Sequence, residues 1–401
     1  MSQTSEPPPP PPPRQILLQK KDYLPDDIVL NILANLPVKS VLRFRCVSKT
    51  WDSSITTPDF ISTHLNLNLN NNNNLAYLIS IRSNTTIRSF IGGYDHTFNR
   101  ISEYPIPSGL PLSHAYSACN GLVCLTQYES FFADIHLWNP SIRKFKRLPD
   151  SSLPQYYCIS TGFAYDSKTN DYKVVKISQK RSPDNHWVEH GAEVYTLSSN
   201  SWRRVEMSLT NNTVGLIKNQ TSIFVSGALH WLRRVIEAQG IRYMIWSFDV
   251  NNDKFGEIAL PDGQLLPQGL IAIPRCLTVF KGKLAFITRG FYRINDINED
   301  EYRDFMRSHS LNSCFIWRMG EYGVHESWSK LFFVQFDKAV DFLGCTSRGE
   351  LLVKRYPGKA VVSLDLETLH EKDLRFGHVP QILTTFMESL VLLDGATDLS
   401  G

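Results

Sequence analysis

The feature that most limits how this chain can fold is a repeat. Between residues 115 and 374, four short apolar runs separated by turn residues recur five times. In the copy at 221–261 the order is TSIFV, a turn at Ser226-Gly227, ALHWL, a loop, YMIWSFDV, a turn at NNDK, and FGEIALP. Short runs rich in Val, Ile, Phe, Tyr and Trp between Gly, Asn and Ser clusters are strands. The same order returns at 277–333 and 340–374, and it occurs earlier at 115–148 and 159–205. Four-strand units of roughly 40–60 residues are the mark of a β-propeller, in which each unit buries its faces against its neighbours.

Five copies leave chain unused at both ends. SLVLL at 389–393 reads as an inner blade strand, and LAYLISI, IRSFI and NRISEYP between 75 and 105 read as three more. Joining them makes a sixth blade and removes the exposed sheet edges of an open ring. Six blades are therefore favoured, with a seven-bladed ring or an irregular sandwich as the rival.

A different pattern fills residues 23–65. Pro25 suits the first helical position, where its missing N–H costs nothing, and Asp26 and Asp27 follow at the positive end of the dipole. Ile28, Val29, Ile32, Leu33 and Leu36 recur at helical spacing, while Leu30 and Ala34 make further sides apolar. Pro37 ends this helix. A second apolar, basic segment (Val41, Leu42, Phe44, Val47) and Trp51 follow, and Pro58 punctuates the end. A unit this short is marginal alone, so its surplus of apolar faces implies that a partner completes part of its core. A helical cap packed on the next domain fits the same pattern.

The rest of the map follows from composition. Residues 1–22 hold the run Pro7–Pro13 and read as a disordered tail with extended polyproline character. The Asn-rich stretch at 66–74 reads as a linker, the propeller as 75–394, and 395–401 as a tail. With 401 residues, 42% hydrophobic and 20% charged, the chain has room for one large globular domain and a small one. A net charge of +3 is too weak to argue for nucleic acid or an anionic membrane. No apolar run approaches the ~20 residues of a spanning helix, and the polar, proline-rich start lacks a signal-peptide core. Seven cysteines without such a signal read as reduced thiols. The expected location is the cytoplasm, the nucleus, or both.

Motifs that suggest chemistry have weak contexts. His186-Trp-Val-Glu189-His190 spells H-x-x-E-H, but a zinc peptidase needs it on a helix, and here it runs into Gly191 and a strand. Cys119 and Cys124 flank an Asn-Gly turn with no second pair at zinc spacing, so they read as core. The basic runs at 143–147, 203–204 and 233–234 read first as solvated edge-strand faces. Walker, Rossmann and nucleophile-elbow patterns are missing from the sequence. No catalytic residue, metal ligand or cofactor site is assigned.

The order Leu24-Pro25, Ile32-Leu33, Leu36-Pro37, Leu42, Arg45, Val47, Lys49 and Trp51 resembles the F-box, the module by which receptors of Skp–cullin–F-box ubiquitin ligases hold a Skp-type adaptor. NGLVCL, WNPSIRKFKRLP, GFAYDSKTNDYKVV, SGALHWL and SFDVNNDKFGEIALP resemble the kelch-like F-box-associated domain of the large plant F-box family. The resemblance implies a non-catalytic substrate receptor that reaches cullin and RING protein through its adaptor. The alternatives are a kelch-like scaffold that binds the adaptor without delivering a substrate, and a propeller lectin or glycosidase.

Two candidate surfaces result. The resemblance assigns adaptor binding to Leu24, Pro25, Ile28, Leu33, Leu36, Pro37, Leu42, Val47 and Trp51, which form or support the docking face. Within each repeat the connection between second and third strands varies in length, as recognition loops do. Those connections, at 126–134, 178–192, 233–242, 289–313 and 355–359, hold Tyr128, Phe131, Trp187, Arg233, Arg234, Tyr292 and Tyr356 as candidates for gripping a target protein.

Overall fold

The computed structural model describes residues 24–398 apart from 71–75, 82–89, 96, 106–113, 130–131, 154–157, 182–186, 208–221, 238–239, 262–265, 268–269, 272–275, 290–291, 294–312, 339, 358–359, 375, 377–379 and 392–396. Four helices come first: α1 (Asp26–Ala34), α2 (Val38–Phe44), α3 (Lys49–Ile55) and α4 (Pro58–Asn70). Pro25 sits one position earlier than expected, as the N-cap of α1, and Pro37, expected to end α1, is also the N-cap of α2; both are extended, and their carbonyls accept the first helical hydrogen bonds. The Ser48 hydroxyl caps α3 by accepting from the Trp51 amide at 3.1 Å. Helix α4 runs on into the Asn-rich stretch that reads as a linker, and one reason is local. Asn68, one turn after His64, hydrogen-bonds its ring at 3.0 Å.

Antiparallel sheets follow. Five blades are each built from one run of chain, and each run matches a sequence repeat. In the first blade the four strands are His114–Cys119, Leu122–Glu129, Phe132–Asn139 and Lys144–Arg147, paired in that order, with Thr397–Asp398 added at the outer edge. The others begin at Cys158, Ile223, Cys276 and Val340. The ring thus holds five single-run blades rather than six. Its remaining four-stranded sheet is a composite, in which Ala76–Ile81, Phe90–Tyr94 and Arg100–Pro105 are joined by Pro380–Phe386. The joining strand is not SLVLL. It is the preceding segment, in register from Ala76 opposite Phe386 to Ile81 opposite Pro380. Innermost strands touch in sequence around the ring, and Pro380–Phe386 touches both Val340–Cys345 and His114–Cys119.

Local chemistry fixes the turns. Asn120-Gly121, Ser226-Gly227 and Lys281-Gly282 all have positive φ at both residues, the backbone of two-residue hairpin turns. Between blades the core is aromatic and tightly filled. Trp231 of the third blade lies against Gly162 of the second, where a Cβ would come within 2.6 Å of the indole ring. Lys173 couples the same two blades by a buried ion pair. Its ammonium contacts Asp166 at 2.6 Å and reaches across to the Val250 carbonyl at 2.7 Å and Asp253 at 3.1 Å.

The closing strand is anchored by Phe386, which is buried with Tyr104 of the composite sheet and Trp138 of the first blade. Phe386→Ala is expected to cost about 3–5 kcal/mol of stability in equilibrium denaturation, as for other buried aromatics. A loss below roughly 1 kcal/mol, the scale of an ordinary surface change, would mean that the ring does not depend on this strand.

Candidate functional site

The helical module divides its apolar residues between two faces. Leu33, Ala34, Val38, Val41, Ile55 and Phe60 form its buried core, with Val29, Leu30, Leu36, Leu42, Phe44 and Trp51 half-buried around them. The other face of α1 keeps its apolar side chains in water. Ile28 is 45% and Ile32 51% exposed, one turn apart on one side of α1; Leu24, just before its N-cap, is 60% exposed, and after α2 Val47 is 61% exposed. Pro25 and Pro37 are also exposed. Large apolar side chains left open in a row on a short helix mark an unfilled interface.

The nine expected adaptor residues therefore separate by role. Leu24, Pro25, Ile28, Pro37 and Val47 present surface, whereas Leu33 is core, and Leu36, Leu42 and Trp51 support the face from within. Trp51 packs on Phe44 with ring centroids 5.7 Å apart. Ile32 belongs to the exposed row and lies outside the nine. Helical spacing from Ile28 was the signal that would have found it, in place of the neighbouring Leu33.

His64 locks the module together. It is fully buried on α4, and its Nε2 donates to the Leu36 carbonyl at 3.0 Å while its Nδ1 accepts from Asn68 at 3.0 Å. Those partners fit the neutral ring, since a proton on Nδ1 would face the Asn68 amide hydrogens. Burial holds the His64 pKa below its ordinary value, against the raising effect of the Leu36 bond. The unfolded chain then binds more protons than the folded one, so stability is full above about pH 6.5 and declines as pH falls below it.

On the propeller, strand pairing continues into three of the five expected recognition loops, those at 126–134, 178–192 and 233–242, and shortens them. Tyr128 lies in Leu122–Glu129, Trp187 opens Trp187–Thr196, and Arg233 and Arg234 lie within Ala228–Glu237, paired with Met244 and Tyr243. Tyr292 is in a two-residue strand paired to Ile271, and Phe131 lies outside the described residues. Arg233 differs from the exposed position expected of a recognition residue. It is only 5% exposed, paired with Glu257 at 3.1 Å and lying over the Trp246 ring. Tyr356 is part-exposed, donating to Asp341 at 2.5 Å and accepting from Lys354 at 3.1 Å.

The motif alternatives also find places. Residues 187–190 are strand rather than helix, with His186 outside the described residues. Cys119 and Cys124 are buried, and burial pushes both thiols up to about 12. Arg147 is held by Asp134 and Asp150, and Arg203 by Asp253, so these cations are matched by carboxylates of the ring itself. Among the described residues no group of three or more metal-ligating side chains converges, and no helix is long and apolar enough to cross a membrane.

The two ends of the ring are not equivalent. Turns joining first to second and third to fourth strands lie at one end of each blade, and the middle connections lie at the other. The helical module is at the first end. Ile142, in the third-to-fourth turn of the first blade, packs into the helical core, and Ile61 and Leu65 of α4 pack into the first blade.

A helical module with an open apolar row, carried on the turn side of a propeller, is the architecture of an F-box receptor. The chain belongs to the family whose model is described as the F-box associated beta propeller domain, matched over residues 64–365, and an F-box domain is matched over 22–63. It is similar to the F-box protein CPR1 of Arabidopsis thaliana, with 27% identity covering 79% of this chain and 74% of that one. The F-box/kelch-repeat protein At3g23880 of Arabidopsis thaliana is 28% identical over 77% of this chain and 78% of its own. The F-box protein At3g07870 of the same plant is 26% identical, covering 91% and 90%.

His64→Gln is expected to be less stable than wild type near pH 7, with the difference shrinking as pH falls from about 7 to 5, where the wild-type ring must take up a proton. Denaturant titrations of both proteins across that range provide the check. A constant difference would show that His64 keeps an ordinary pKa.

Proposed function

We propose that this protein is the substrate-recognition subunit of a Skp–cullin–F-box ubiquitin ligase, working in the cytoplasm or nucleus. The observation that carries this reading is the group of exposed apolar side chains Leu24, Ile28 and Ile32, with Val47, around the start of the helical module. An adaptor helix or groove covering that group removes several large side chains from water, each worth about 1.5–3 kcal/mol. The propeller contributes no chemistry in this account. It captures a target protein and holds it near the transferring subunits, so that the gain is effective concentration and orientation.

The middle-connection end, bearing Tyr128, Trp187, Arg234, Tyr292 and Tyr356, is the proposed capture face. The support is topological, since the helical module lies at the opposite end, and adaptor and target would not compete for space. Arg233 is left out because its charge is buried and paired.

Ile28→Asp and Ile32→Asp, made together in the full chain, are expected to weaken binding of a purified Skp-type adaptor by about a hundredfold or more, as hot-spot losses do. The melting temperature should change little, because both side chains are exposed. Calorimetric titration reads the affinity, and unchanged affinity would refute the assignment. For the capture face, replacing Trp187, Arg234 and Tyr292 by Ala should leave adaptor binding intact and let the target accumulate in cells.

A further inference from the structure

Immediately after the ring-closing strand, residues 387–391 leave the sheet and pass between the propeller and the helical module. They alternate their attachments. Met387 and Val391 are buried in the core of the first two blades, beside Leu65 and with Ile61 packed against them. Leu390 points the other way and is buried in the helical core with Leu33, Ala34, Val38, Val41, Ile55 and Phe60. The backbone of Ser389 and Val391 is held by hydrogen bonds. The Asn139 amide donates to the carbonyls of both Ser389 and Val391, at 3.1 and 3.0 Å. The Ser389 amide donates to the Ser141 hydroxyl at 3.2 Å, and the Val391 amide to the Ser389 hydroxyl at 3.0 Å. Gly121 makes the passage possible, since a Cβ there would stand 2.1 Å from the Ser389 Cβ.

We propose that this segment is a strut that licenses adaptor docking: the F-box face reaches its binding shape only when Leu390 completes the helical core. The inference rests on the adaptor reading above and concerns how that site is controlled. Helix α1 has nine residues and carries exposed Ile28 and Ile32 on one side and buried Leu33 and Ala34 on the other. A helix of that length is not stable by itself in water, so the geometry of the outer row depends on the packing of the inner one. Leu390 supplies part of that packing from more than 320 positions away in sequence. During synthesis the helical module emerges first, and its core stays incomplete until the chain beyond residue 386 has been made and the ring has closed. Ligase assembly is thereby restricted to receptors whose capture domain is finished. The strut also fixes the propeller's angle to the adaptor, since one short segment is buried on both sides.

The test uses the full chain carrying Leu390→Ala, with Leu390→Met as a volume-conserving control. Two quantities are read: affinity for a purified Skp-type adaptor, and the rate of tryptic cleavage at Lys39, Arg43 and Lys49 in the helical module. Leu390→Ala should weaken adaptor binding and speed cleavage there by about tenfold or more, as expected for a buried leucine lost from a small core. Leu390→Met should stay near wild type in both, and the propeller's thermal transition should be unchanged in each. Wild-type affinity and wild-type cleavage for Leu390→Ala would overturn the proposal, as would loss of the propeller transition in step with the helical module. If the wild-type protein itself does not bind the adaptor, the adaptor reading fails, while the cleavage rates still decide whether Leu390 holds the module together.

Discussion

Everything in this molecule hangs on one antiparallel pairing, Pro380–Phe386 against Ala76–Ile81. A propeller that is not closed exposes the inner faces of its first and last sheets, and the cost is several buried aromatics. Closure here places Phe386 against Tyr104 and Trp138, and it sets Tyr77 against Phe98 at 4.8 Å in a stack that also meets Phe376. The Tyr77 hydroxyl accepts from the Ser347 amide at 3.2 Å, which couples the composite sheet to the fifth blade. The same pairing delivers residues 387–391 to the helical module. Ring closure and placement of the F-box are therefore one structural event.

The consequence is a division of labour between the two ends of the ring. At the turn end, Ile142 of the first blade packs into the helical core, and the first hairpins take the positive φ values that tight turns need. At the other end, strands carry the pairing out to Glu129, Arg181 and Glu237. Rigid blades with variable tips are suited to presenting side chains at a fixed distance from the adaptor. A flexible joint between the modules would dilute that advantage, because effective concentration falls as the linkage loosens.

Much of this was legible from residue order. The five single-run blades came through because their first hairpins carry turn residues (Asn-Gly, Ser-Gly, Lys-Gly or Arg-Gly in four of them, Ser-Lys-Thr-Asn in the second) between apolar runs, a local signal. The helical module came through from Pro25, Pro37 and the 3.6-residue apolar period. What failed was non-local. SLVLL and QILTTF are both apolar runs near the end of the chain, and only the three-dimensional fit decides which one pairs with Ala76–Ile81. The helical core had a vacancy that Leu390 fills, and no periodicity links position 390 to position 33. Arg233 looked like a surface hot spot because charge implies exposure, but Glu257 and the Trp246 ring neutralise and cover it. The split between Ile32 and Leu33 turned on about 100° of helical rotation, which a row of apolar letters does not resolve.

The central claim is that one end of this molecule docks the adaptor while the other remains free for a target. Hydrogen–deuterium exchange of the full chain, with and without a saturating Skp-type adaptor, tests it most directly. The account predicts new protection confined to residues 24–51, centred on α1 and the segment after α2, with the strands bearing Tyr128, Trp187 and Arg234 unchanged. Protection appearing at those strands instead, or none appearing in α1 despite binding, would contradict it.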